Sequence, residues 1–311
     1  MSKKILKRPS IDELKKFNAY IETDTAFQAH ARLLQSKWLV FRKSTSEKIK
    51  GESEDENATL LERGFYFLTS NIYKLVEKTL ILTSMEHATS VWDRLKIDLL
   101  SSQQLSFNMF GEMSFNQSLA TAFFSKMFPE EVSEVTSVVY DYSSRKARPD
   151  WTTFDVYVEY VSTAGEECFF GIMVRYCEDL EHGDSAKASK LYQRYQSEYT
   201  RMADESEYFS TQDYTKLSQP PYDEIWRTHL LNYNMSTDPK LNRQGRFLIL
   251  YPFNNDLCDR VIDEYQKQFL KPSLWADSSF MVCDLNPFMR TIHAVAQSKW
   301  SQELIDRYLV E

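Results

Sequence analysis

The chain has 311 residues, 42% hydrophobic and 14% aromatic, with only 7 Gly and 9 Pro, enough apolar material for one large globular domain or two closely packed ones and unlike a disordered chain. Its 37 Lys and Arg against 45 Asp and Glu leave a formal net charge of −8, so a contact with nucleic acid would need a local basic patch. No stretch approaches the ~20 apolar residues of a membrane span and the basic N-terminus lacks an apolar signal core, which predicts a soluble, cytoplasmic protein. Cys168, Cys177, Cys258 and Cys283 form no Cys-x-x-Cys pair and no Cys/His cluster; this argues against zinc and for reduced thiols in or near the core.

In chain order, residues 11 to about 42 read as helical. Ser10 followed by Glu13 has the form of a capping box, and Leu14, Phe17, Ile21, Phe27, Ala31, Leu34 and Trp38 recur near helical spacing. Residues 43–57 are charged with almost nothing apolar, which predicts a loop. A second helical block runs from 58 to about 100, with Leu61, Phe65, Leu68, Ile72, Leu75 and Leu80 as its apolar stripe. These blocks predict a helical N-terminal subdomain over residues 1–100. From 101 on the pattern predicts a helix over 115–128, strands over 135–142, 151–161 and 168–177, and helices over 185–203 and 222–234. A strand over 246–252, a helix over 255–269, a strand over 279–284 and C-terminal helices complete it. Three sequential strands followed by strand–helix alternation point to an α/β fold, a mixed sheet flanked by helices.

Alternation along the second and third strands places Phe154, Val156, Val158 and Tyr160 on one face and Asp155, Tyr157 and Glu159 on the other. Across the hairpin it separates Phe170, Ile172, Val174 and Tyr176 from Gly171, Met173 and Arg175. An aspartate held at the centre of a sheet is costly unless it is paired or binds a metal. The plainest reading is an Asp155–Arg175 ion pair across the hairpin, and that reading ranks ahead of an active site on the residues alone. A helix with Lys187, Lys190, Arg194 and Arg201 among Tyr192, Tyr195 and Tyr199 has the make-up of a backbone-tracking surface; Glu198, Asp204, Glu205 and Glu207 dilute it and favour an ordinary amphipathic helix. His182, His229 and His293 lack a nearby nucleophile, and no GxGxxG, Walker A or GxSxG string is present, which counts against dinucleotide enzymes, P-loop NTPases and α/β-hydrolases.

The order helix–strand–strand–strand–helix–strand, with the strings SSQQLSFNMFG (101–111), VYDYS (139–143), TFDV (153–156), GIMVRYCEDL (171–180), IWRTHLL (225–231) and FLILYP (247–252), resembles the PD-(D/E)xK nuclease superfamily, and within it an uncharacterised bacterial restriction-endonuclease-like family. The resemblance spans about residues 100–290 and implies a restriction-endonuclease-like core over 101–311. It implies an Mg²⁺ centre in which an acid of the second strand and the acid of (D/E)xK on the third hold the ion, and a lysine positions the attacking water. Carried over by position, Asp155 is the first acid and Asp141 an additional one, while Met173 stands in the place of the second carboxylate and Arg175 in that of the lysine. A thioether is a poor ligand for Mg²⁺, and arginine does not act as a base in the accessible pH range, although its planar fork suits phosphate oxygens.

The expectation is therefore a nuclease-like protein whose hydrolysis is impaired or lost and which acts in DNA transactions or defence by binding nucleic acid. Two alternatives stay open: a protein-interaction scaffold that keeps the fold, and an active Mg²⁺-dependent nuclease with relocated ligands. For the latter, Glu159 on the face of Asp155 and Glu178 just beyond the strand are the candidate acids, and Lys187 and Lys190 the candidate cations, each also readable as solvated surface charge.

Overall fold

The computed structural model describes residues 6–50, 64–87, 99–142, 149–180, 183–273 and 279–311. In chain order the helices are α1 (Ile11–Lys16), α2 (Ala26–Lys50), α3 (Ser70–His87), α4 (Ser102–Phe110), α5 (Gln117–Met127), α6 (Ser185–Ser206), α7 (Asp223–Ser236), α8 (Asp256–Glu264), α9 (Leu285–Ala296) and α10 (Lys299–Tyr308). The strands are β1 (Val132–Tyr142), β2 (Phe154–Ser162), β3 (Glu167–Val174), β4 (Gln244–Tyr251) and β5 (Phe280–Asp284). They belong to two units, Met1–Leu119 with Asn286–Glu311, and Ala120–Leu285.

In the first unit the expected long helix is broken. Ser10 caps α1 as anticipated, accepting the Glu13 N–H, but Asn18 turns left-handed with φ 53° and α2 restarts where Thr25 and Gln28 exchange side-chain to backbone hydrogen bonds. α2 then runs to Lys50, so residues 43–50, expected as loop, are helical; they carry neither Gly nor Pro to stop the helix. Residues 51–57 lie outside the described residues. Of the expected 58–100 block, α3 covers Ser70–His87, turns cover 64–69, and residues 58–63 and 88–98 are outside the description.

By their contacts α4 and the C-terminal helices group with α1–α3. Arg307, fully buried, donates to Gln35 Oε1 at 2.7 Å, to the Tyr66 carbonyl at 2.6 Å and to Gln104. Asn108 accepts the Leu68 N–H and donates to the Tyr308 hydroxyl, and its own carbonyl accepts from the Trp300 indole. Buried donors and acceptors must be paired, so this network joins segments far apart in sequence.

The second unit carries the sheet, ordered β1-β2-β3-β4-β5. β1, β2 and β3 pair antiparallel, while β3–β4 and β4–β5 are parallel, the mixed sheet expected. The β2–β3 turn contains Gly165 at φ 82°, a backbone state that suits glycine. One face packs on α5, through Phe124 and Phe128 against Phe170, with Tyr160 stacked on the same ring. The other face is covered too, as a sheet flanked by helices requires. Tyr157, Phe169, Met173, Phe247 and Ile249 are buried there under side chains of α6, α7 and α8, among them Tyr199, Met202, Trp226, Leu230 and Val261. Phe154 also joins this face, its ring near Tyr157 and Phe169 and over Gly171, where an added Cβ would meet it at 2.3 Å. Two-sided burial is the usual state of strands in a sheet with parallel crossovers.

Candidate active site

The backbone of β2 and β3 brings Asp155 and Arg175 together as the hairpin register requires. Val156 lies opposite Ile172, which puts Asp155 beside the end of β3. Arg175 extends that strand, its N–H bonded to the Leu250 carbonyl of β4 at 2.8 Å. Its Nη1 donates to Asp155 Oδ2 at 3.0 Å and to the Val174 carbonyl at 2.6 Å. The Val174 N–H donates to the same Asp155 Oδ2 at 2.7 Å. A third group, absent from the expectations, completes the arrangement: Glu224, in the first turn of α7, meets Arg175 Nη2 at 2.6 Å.

The electrostatics follow from one cation among several acids. Arg175 is buried, at 7% exposure. Burial works against its charge, but Glu224, Asp155 and Glu178 outweigh that and raise its pKa. Burial pushes the Asp155 carboxyl up to about 6; Arg175 and the Val174 N–H oppose the rise, and Glu224 and Glu178 add to it. Glu224 moves the other way, held down chiefly by Arg175 and further by Arg227 and Lys187. Its side chain keeps 54% of its surface in water, so it closes the site from the solvent side.

A second buried network fixes α7 to the segment before β2. Arg227 donates to Asp150 Oδ2 at 3.2 Å, to Thr152 Oγ1 at 3.1 Å and to Asp223 at 3.1 Å. Asp150 also accepts from the Tyr199 hydroxyl of α6 and from the Thr152 N–H. Burial would raise the Asp150 carboxyl, but these bonds and the Arg227 charge hold it below its ordinary value.

The other expected residues are placed elsewhere. Met173, 3% exposed, sits in the core with Tyr157 and Phe169, a packing position rather than one open to a ligand. Asp141, next to last in β1 at φ 49°, is exposed and accepts a hydrogen bond from Thr153. Glu159 is tied to Arg243, which also bonds Glu167, roughly 13 Å along the strand from Asp155 at 3.3 Å per residue. Glu178 is the exception: its charge reaches both Arg175 and Asp155, while it accepts the Tyr176 N–H at 2.7 Å. Lys187 and Lys190 are exposed on α6. The tyrosines of that helix do not line its solvent face: Tyr199 is buried and Tyr192 and Tyr195 pack on the core, while Arg201 pairs with Glu205. His182 lies outside the described residues, and His229 is buried against Tyr208, Phe247 and Phe280.

The donor set does not fit Mg²⁺. A hard divalent ion needs several oxygen ligands converging on one point, and here a guanidinium already occupies the space between Asp155 and Glu224. Among the described residues no three His, Cys, Asp or Glu side chains are placed to hold an ion. With both amino ends engaged by carboxylates, Arg175 is not open to a phosphate either. Nothing local in the sequence flags Glu224: Asp223 and Glu224 in the first turn of a helix read as acids favoured by the helix dipole. Among the described residues no helix is long and apolar enough to cross a membrane. No curated protein and no solved structure matches the chain significantly. The sequence model of one family matches residues 22–310, nearly the whole chain, and by that match the protein belongs to the PD-(D/E)XK nuclease superfamily.

Proposed function

We propose that this protein is a nuclease-fold member that has lost phosphodiester hydrolysis and acts by binding nucleic acid in DNA transactions or defence. The observation that carries the loss is the Arg175 guanidinium held between Asp155 and Glu224, with the Met173 side chain given over to the core. With Arg175 in the space between its carboxylates and no lysine beside them, the centre lacks the groups that would generate and position an attacking water. Binding is supported by family membership and by the exposed cations of α6, Lys187, Lys190 and Arg194, the first of them close enough to lower the Glu224 carboxyl.

Duplex and single-stranded DNA, incubated with the purified protein and Mg²⁺ or Mn²⁺, should stay intact. Fluorescence anisotropy should report binding that weakens with salt, with a slope of log K against log[salt] of about −2 to −3 if three cations meet phosphates. Metal-dependent cleavage abolished by Asp155→Ala would overturn the reading and favour a relocated active centre. The net charge of −8 supports a second reading, a scaffold for protein partners, and absence of salt-dependent DNA binding would select it.

A further inference from the structure

We propose that Arg175 is a built-in substitute for a divalent ion, and that Glu224, entering from α7, is the second carboxylate that β3 no longer supplies at position 173. The assignment rests on the loss of hydrolysis argued above, and it says what replaced the metal rather than what the protein binds.

The oxygens around the guanidinium have the make-up of a hard-cation site. Nη1 reaches the Asp155 carboxylate of β2 at 3.0 Å and the Val174 carbonyl at 2.6 Å, and Nη2 reaches the Glu224 carboxylate at 2.6 Å. Two carboxylates and a backbone carbonyl are ligands that a divalent ion would take. A guanidinium satisfies the same oxygens by hydrogen bonds in a plane, at distances a metal–oxygen bond does not allow. It also brings one positive charge where the ion brings two. Although half-exposed, Glu224 is not a loose surface acid. The same helix carries Arg227, whose bonds to Asp150 and Thr152 hold the start of α7 against the segment that leads into β2.

Removal of the guanidinium should therefore turn the pair of carboxylates into a cation site. Arg175→Met, in the full chain, keeps unbranched bulk and deletes the charge. Its melting temperature should fall below that of the wild type and rise again in millimolar Mn²⁺, and electron paramagnetic resonance should detect the bound ion. Adding Asp155→Asn or Glu224→Gln should weaken that binding by at least about tenfold, the scale on which even outer partners of a metal act. The wild type should show neither effect. Arg175→Gln is the second variant: it is neutral, keeps amide donors for one carboxylate, and should show the same response to Mn²⁺. The assignment is overturned if both variants are indifferent to Mn²⁺, in folding as well as in melting, or if Glu224→Gln leaves the affinity unchanged. It is also overturned if the wild type binds Mn²⁺ through Asp155. DNA cleavage by the wild type that survives Asp155→Ala would instead sink the functional reading alone, because the Mn²⁺ measurements do not depend on it.

Discussion

Asp155→Asn should stabilise this protein at neutral pH, although it removes a partner of a buried arginine. In the native centre one guanidinium faces Asp155, Glu224 and Glu178, and burial raises Asp155 from an ordinary 3.8 to about 6. At ~1.36 kcal/mol per pH unit that gap amounts to about 3 kcal/mol against folding once the pH exceeds both values. Asp155 keeps 29% of its side chain in water, which reduces the expected gain to about 1–2 kcal/mol. The hydrogen bonds survive the change, since the Val174 N–H and Arg175 Nη1 both end on Oδ2 and one amide oxygen can accept both. Arg175 keeps Glu224 as its counterion.

The sign of the pH dependence makes the assay specific. A carboxyl whose folded pKa is raised costs nothing below its unfolded value, and its penalty grows as the pH rises to the folded value. Urea denaturation of wild type and variant should therefore give equal stabilities near pH 4, a gap that opens between about 4 and 6, and a constant gap above. A variant less stable than wild type at pH 7.5, with a deficit that shrinks toward pH 4, would mean that the ion pair outweighs desolvation and would refute the argument.

Other outcomes follow from the same packing. Arg175→Ala should cost about 3–5 kcal/mol in chemical denaturation, because it removes the cation between Asp155 and Glu224. His229, fully buried, has its pKa lowered by burial to about 3, so the wild type should lose about 2 kcal/mol between pH 7 and 5 as the unfolded imidazole takes up a proton. His229→Phe should flatten that limb in a denaturation series. Gly171→Ala forces a methyl group against the buried Phe154 ring and should cost about 1–3 kcal/mol, read as a lower denaturation midpoint at unchanged slope. Arg307→Met should cost about 2–4 kcal/mol by leaving the fully buried Gln35 and Gln104 without their donor.

The hairpin and its ion pair were legible because both depend on local rules. Alternation and a Gly-containing turn set the β2–β3 register, and that register alone brings Asp155 to Arg175. The helix limits were less legible. The break after α1 turns on Asn18 adopting a left-handed state, and nothing in residues 43–50 distinguishes a solvated helix from a loop by apolar spacing. Which helices cover the second sheet face was not legible, for a tertiary reason: α6–α8 come from other parts of the chain and make Tyr157 and Met173 core side chains. Glu224 and the Asp150–Arg227 pair were invisible because their partners are remote in the chain. Arg227 and Asp150 are 77 positions apart, beyond any periodicity. The tyrosines of α6 show the same limit, since spacing revealed a stripe but not that it faces inward.

Two contacts made by the first turns of α7 hold the centre in shape. Glu224 grips Arg175 at the end of β3, and Arg227 grips Asp150 ahead of β2. A helix held at two points against both strands of the hairpin positions Asp155 much as a bound ion would, by linking β2, β3 and a third element through charge. Met173 supplies the other half of the argument, because a carboxylate there would be desolvated among Tyr157, Phe169 and Met202, whereas a thioether adds apolar packing. On the proposal that hydrolysis is lost, restoring it would take coordinated change. Met173→Glu alone places an unpaired acid in the core, and Arg175→Lys alone exchanges a two-ended fork for a point charge that cannot bridge both carboxylates. Each single substitution should lower stability without restoring cleavage. The double variant, whose new acid and lysine can pair, should lose less than the sum of the two in a double-mutant cycle; strict additivity would show that positions 173 and 175 no longer work as one site.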